Sequence, residues 1–140
     1  MLSAHMDEVG LIVKDITDDG YLKFDQVGGV DDRILLAQGV KVGPQKIDGI
    51  IGIKAVHLQS SDERKRVIKK EEMYIDIGAD SRDDALSVVG IGDSVCFDSE
   101  FAETESTIRS KAIDDRFGCL VLIELIKSDL KYDTDFAFVV

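Results

Sequence analysis

From about residue 9 to residue 99 the chain alternates short apolar runs with glycine and acidic turn signals. The runs 10–16, 21–27, 40–42, 50–58, 73–77 and 94–97 are rich in β-branched residues and predict strands. Several short strands broken by turns predict a compact barrel or sandwich. Asp19-Gly20, between the first two runs, predicts a hairpin, because glycine accepts the positive φ of a tight turn. Residues 31–37 and 81–88 predict short helices, the second opened by Ser81 as N-cap with Asp83 and Asp84 in its first turn. The stretch 60–72, where Lys65, Arg66, Lys69 and Lys70 mix with acids, predicts a solvated loop.

The pattern changes after Glu105. Phe117, Leu120, Val121, Ile123, Leu125 and Ile126 predict a strongly apolar helix, and the run 136–140 predicts a buried strand after it. Residues 1–6 also predict a buried strand. Strand, long insertion, helix and strand together are the grammar of a parallel α/β sheet. The expected fold class is therefore α/β, with residues 1–8 and 106–140 a partial α/β domain and residues 9–105 an inserted β-barrel-like domain. A sheet this small leaves Leu120, Val121, Phe136 and Phe138 short of apolar partners.

Composition narrows the function. At 140 residues, 44% hydrophobic and 32% charged, with one proline, the chain has the make-up of a globular protein and room for one domain or pieces of two. Seventeen basic residues against 28 acidic ones leave a net charge of −11, which repels phosphate backbones and anionic bilayers. Nucleic acid and membrane are not expected partners. With no basic leader pattern and no apolar run of bilayer length, a cytoplasmic location is expected. Cys96 and Cys119 belong to no CxxC or His/Cys pattern and read as reduced thiols in apolar surroundings. Gly28-Gly29 and Gly49 lack a phosphate-loop context and read as barrel bends. No serine lies in a GxSxG elbow, so nucleophilic catalysis finds no support.

Two motifs carry candidate chemistry. In Ala4-His5-Met6-Asp7-Glu8-Val9-Gly10, His5 and Asp7 are two apart on a strand and share a face. An aspartate there can hold one ring nitrogen and turn the other toward a metal. A surface histidine among acids before a turn is the commoner meaning of so short a pattern, and both readings stand. In Lys111-Ala112-Ile113-Asp114-Asp115-Arg116-Phe117-Gly118, adjacent carboxylates repel unless a cation neutralises them, and a carboxylate can bridge two metal ions. A helix N-cap with an acidic first turn explains the same residues. His57, in an apolar run without an acidic neighbour, reads as a strand-surface residue.

Six blocks occur in order: AHMDEVG, GYLKFDQVGGVD, GIIGIKAVHLQ, YIDIGADSRDDA, GIGDSV and KAIDDRFG. In sequence and spacing they resemble the two-metal aminopeptidases that include glutamyl aminopeptidase, the tetrahedral and deblocking aminopeptidases and relatives labelled endoglucanase. The resemblance runs through essentially the whole chain. It implies an α/β metallopeptidase domain interrupted by a barrel-like oligomerisation domain, and a homo-oligomer from dimer up to dodecamer acting on peptide substrates. It further implies that His5 binds one of two divalent ions (zinc or cobalt), that Asp7 orients His5, and that Asp114 bridges both metals. Asp115 and Arg116 would support these ligands, and the peptide after Asp114 would be cis.

The family pattern continues, after a strand like 135–140, with a glutamate pair that supplies the general base and a further ligand, then an aspartate and a histidine. None has a counterpart in these 140 residues. The chain is therefore expected to be a fragment of such an enzyme that is inactive alone. A non-catalytic oligomerisation module is the alternative. A glycoside hydrolase would need two carboxylates flanking a sugar groove, and no pair here has independent support for that.

Overall fold

The computed structural model describes residues 1–54 and 66–140. His57, the end of the run 50–58 and the first half of the charged stretch lie outside the described residues. In chain order the strands are β1 (Leu2–His5), β2 (Gly10–Ile16), β3 (Leu22–Val27), β4 (Gly39–Val42), β5 (Ile47–Ile53), β6 (Met73–Asp76), β7 (Ser94–Phe97), β8 (Ala102–Glu103), β9 (Ile108–Arg109) and β10 (Phe136–Val139). The helices are α1 (Arg82–Leu86) and α2 (Ile113–Ile126). The chain divides into two compact units, Val9–Asp98 and Met1–Glu8 with Ser99–Val140.

In the first unit six antiparallel strands close into a barrel in the order β2-β3-β6-β5-β4-β7. Closure leaves no free strand edge, which is how so small a sheet escapes edge-to-edge pairing. Alternation along each strand sends Leu22 and Phe24, Val40 and Val42, Met73 and Ile75, and Val95 into one core. β2 breaks the alternation: its register against β3 shifts between Val13 and Asp15, so Leu11, Val13 and Ile16 are all buried despite their uneven spacing. Leu35, Ala85 and Val89 add to the same core from outside the strands.

Gly49 is a position of close packing in the barrel. It occupies a regular place in β5, where an added Cβ would lie 2.8 Å from Ile75 Cγ2 and 3.3 Å from Val40 Cγ2. The neighbouring branched chains fill the space a larger residue would need. Gly20, by contrast, is the turn residue expected, with φ +84 between β2 and β3.

The helix predicted over 31–37 is only a 3-10 turn, Asp32–Ile34, capped by the Asp31 carboxylate accepting from the Arg33 amide. Ala37 takes a positive φ of 64 and donates its amide to Ile51, which turns the chain out of any helix. α1 forms as expected, its Ser81 cap accepting from the Asp84 amide. The later half of the charged stretch is more than a solvated loop. Lys70–Glu72 make a 3-10 turn, the Lys70 ammonium pairs with Asp25 on β3, and its amide donates to Asp32.

In the second unit β1 and β10 run parallel, with His5 opposite Val139, and Ala4, Cys119 and Leu122 form a small core with Phe136 against it. β1 is less buried than its sequence predicts. Only Ala4 is buried and Leu2 is 40% exposed, because a two-stranded sheet covers little of each strand. Residues 99–105, expected with the barrel, group with this unit instead: β8 pairs with β9 and with no barrel strand. α2 is apolar on nearly every side, yet Phe117, Leu120, Val121, Ile123 and Ile126 are exposed. Such a helix belongs in an interior. No helix among the described residues is long and apolar enough to cross a membrane.

Gly49→Ala overpacks the barrel and is expected to destabilise it by about 1–3 kcal/mol in urea unfolding; an unshifted midpoint would show that the site has room to spare. The Arg33 guanidinium, hydrogen bonded to Asp31, holds that carboxyl down at about 2 from its ordinary 3.8, and Lys70 lowers Asp25 in the same way. These depressed carboxyls contribute stability that is fully present above pH 3.8 and, for Asp31, is lost as pH falls through about 2. In Arg33→Met the Asp31 titration, followed by its carboxyl carbon shift, moves back toward 3.8. A midpoint that stays near 2 contradicts the assignment.

Candidate metal centre

His5 is the last residue of β1, and the strand pairing reaches one residue further, where the Met6 amide donates to the Val139 carbonyl at 2.9 Å. The imidazole thus leaves a pinned backbone. Its side chain is half-exposed.

The start of α2 is irregular. Ala112 is left-handed, the Asp114–Asp115 peptide is cis as the family resemblance implies, and both aspartates have non-helical backbone angles. Asp115 then acts as the N-cap of the regular helix, its Oδ1 accepting from the Gly118 amide at 3.2 Å. Oδ2 of the same carboxylate accepts from the His5 amide at 3.4 Å. Asp114 precedes the cap with a 96% exposed side chain, and its Oδ1 lies 3.5 Å from His5 Nε2. The cap reading and the ligand reading of the aspartate pair thus fall on different residues: Asp115 caps, and Asp114 is left free beside the imidazole.

The other polar groups nearby are committed elsewhere. Glu8 pairs with Lys111 at 2.7 Å, and the Arg116 guanidinium donates to the Met6 carbonyl at 3.1 Å. Cys119 Sγ donates to the His5 carbonyl at 3.4 Å. Asp7 Oδ1 approaches His5 Nδ1 to 3.2 Å, but Nδ1 is shielded from solvent without a hydrogen bond, so the contact has the proximity of an orienting pair without its alignment.

The donor set can be tested against a metal. Two donors on one tetrahedrally held ion, with bonds of about 2.1 Å, lie about 3.4 Å apart. The 3.5 Å between Nε2 and Oδ1 matches that spacing and is too long for a strong hydrogen bond. One imidazole nitrogen and one carboxylate suit zinc and several other divalent ions. Two donors fit one side of a centre, and among the described residues no group of three or more His, Cys, Asp or Glu converges.

Sequence reasoning singled out His5, Asp7, Asp114, Asp115 and Arg116, and the structure brings all five to the junction of β1 and α2. It overlooked Gly118 and the sulfur contact of Cys119. A glycine inside an apolar helix costs stability relative to alanine and was a readable signal.

Comparison with known proteins places this geometry in context. The model of the M42 glutamyl aminopeptidase family matches residues 1–140. The lysyl aminopeptidase of Pyrococcus furiosus is 30% identical over 140 residues, 96% of this chain and 40% of that protein. The TET aminopeptidase structure from the Thaumarchaeota archaeon SCGC AB-539-E09 is 40% identical with a TM-score of 0.83, covering 89% of this chain and 37% of that one. The Pyrococcus horikoshii TET1 peptidase, whose structure is titled for assembly into a tetrahedron or a large octahedral shell, is 43% identical with a TM-score of 0.77, over 90% and 39%. The chain spans about two fifths of the length of these relatives.

Proposed function

This chain belongs to the M42 glutamyl aminopeptidase family, and from that premise we propose that it is part of a metal-dependent aminopeptidase that removes N-terminal residues from peptides. The observation that carries the reading is the meeting of His5 Nε2 and Asp114 Oδ1, far apart in sequence, at the spacing of two ligands on one ion. His5 and Asp114 would hold the metal, zinc or cobalt, and Asp114 would be the ligand shared by a pair. Asp7 orients the imidazole, and Asp115 and Arg116 hold the backbone beneath it. When bound, the ions supply a water of lowered pKa and polarise the scissile carbonyl. The residues of this chain do the positioning: His5 presents one nitrogen from a pinned strand end, and Asp114 presents a carboxylate from the residue just before the helix cap.

Two ligands without a general base do not fix a two-metal centre, so the 140-residue polypeptide by itself neither retains a metal pair nor hydrolyses peptides. Elemental analysis after dialysis and turnover of an aminoacyl chromogenic substrate are expected to be blank, and measurable metal-dependent release overturns the statement. When these 140 residues replace the matching segment of a full-length relative, Asp7→Asn is expected to lower metal affinity about 10–100-fold. Wild-type affinity in that variant removes Asp7 from the site.

The barrel supports a second role. Ile12, Val27 and Ile50 are exposed on β2, β3 and β5, and the assembling relative shares this segment. The barrel is proposed to mediate homo-oligomerisation. A sizing column is expected to show a dimer or larger species, and a monomer at high concentration argues against it.

A further inference from the structure

We propose that Gly118 is a positioning residue for the His5–Asp114 pair: its missing side chain gives the Asp115 carboxylate the room to clamp the end of β1 to the start of α2. The proposal rests on the metal reading of His5 and Asp114 and adds the device that brings them together. A Cβ at position 118 would stand 2.3 Å from Asp115 Oδ1 and 2.7 Å from its Cγ and Oδ2. These atoms are the carboxylate end of a short side chain, held in place by its bonds to two backbone amides. They cannot swing clear while both bonds persist. Every residue except glycine at 118 therefore displaces the carboxylate that accepts from the amides of His5 and Gly118.

The consequences run through the backbone. The Asp115 carboxylate holds the His5 amide, the Cys119 thiol holds the His5 carbonyl, and the Arg116 guanidinium holds the Met6 carbonyl. Three residues near the start of α2 thus grip the end of β1 and the residue after it. Asp114, immediately before them, is carried to His5 by the same grip. Loss of the Asp115 contact frees the His5 amide and the helix cap together, and the spacing of Nε2 to Asp114 Oδ1 goes with them. Cys119 is small enough to sit in the buried contact with Ala4 and Leu122 while its sulfur reaches the carbonyl.

The experiment uses the uniformly labelled 140-residue chain and two readouts: hydrogen exchange at the His5 amide, and broadening of the His5 and Asp114 signals by added Mn²⁺. In the wild type the His5 amide is protected and Mn²⁺ broadens both residues together. Gly118→Ala is expected to cut His5 amide protection at least about tenfold and to weaken the Mn²⁺ effect about 10–100-fold. Should that variant unfold, Asp115→Ser with Gly118→Ala removes the collision and restores the fold. It is expected to keep the barrel spectrum while leaving His5 unprotected and Mn²⁺ weak. Asp115→Asn, which keeps the shape and one acceptor oxygen, is expected to recover part of both. Wild-type protection of His5 in Gly118→Ala, or full Mn²⁺ response in the double variant, overturns the clamp. If excess Mn²⁺ broadens neither residue in the wild type, the contact of His5 and Asp114 with a single loosely held ion falls while the clamp stands, since amide exchange judges the clamp without any metal.

Discussion

The carboxylate of Asp115 accepts from backbone amides in two directions, one along its own helix and one across to β1, and the geometry of the candidate centre follows from that. A helix start has amides with no intrahelical partner, and a strand end has the same need. One side chain meets both, which sets the distance between the two elements. Asp114 lies one residue before the cap, in the irregular first turn of α2, and its own carboxylate is left facing His5 and solvent.

This arrangement explains why two adjacent acids are tolerated. One is neutralised by amide dipoles and the helix N-terminus, and the other faces an imidazole and solvent. Glu8, the next acid in the neighbourhood, is paired with Lys111. His5 and Asp114 present donors at the spacing of ligands on a shared ion. The structure separates acids bound to amides or to a lysine from Asp114, whose carboxylate faces the imidazole.

The two units differ in how completely they satisfy their apolar residues. The barrel closes on itself, and its inward positions form one dry core with no buried polar side chain among the described residues. The unit with α2 has a helix apolar on nearly every side and two strands to cover it, so most of that apolar surface faces water. Exposed area of this kind works against the folded state, and each uncovered side chain forgoes about 1.5–3 kcal/mol of burial.

Local chemistry determined much of this protein in advance. β2 and β7 follow their apolar runs to the residue, α1 starts at the serine that caps it, and α2 and β10 follow the apolar pattern after Glu105. These are short-range effects, set by alternation, capping and turn residues. His5 and Asp114 were legible as a pair through the six ordered blocks, while the local chemistry of each motif alone favoured a commoner explanation. The tertiary structure decided what depends on distant neighbours: the inward place of Gly49 among Ile75 and Val40, and the shortening of residues 31–37 by the bond from Ala37 to Ile51. It also decided which of two adjacent aspartates caps and which faces the histidine. A carboxylate's role is set by the amides and cations within about 3 Å of it, and sequence spacing does not specify what those are.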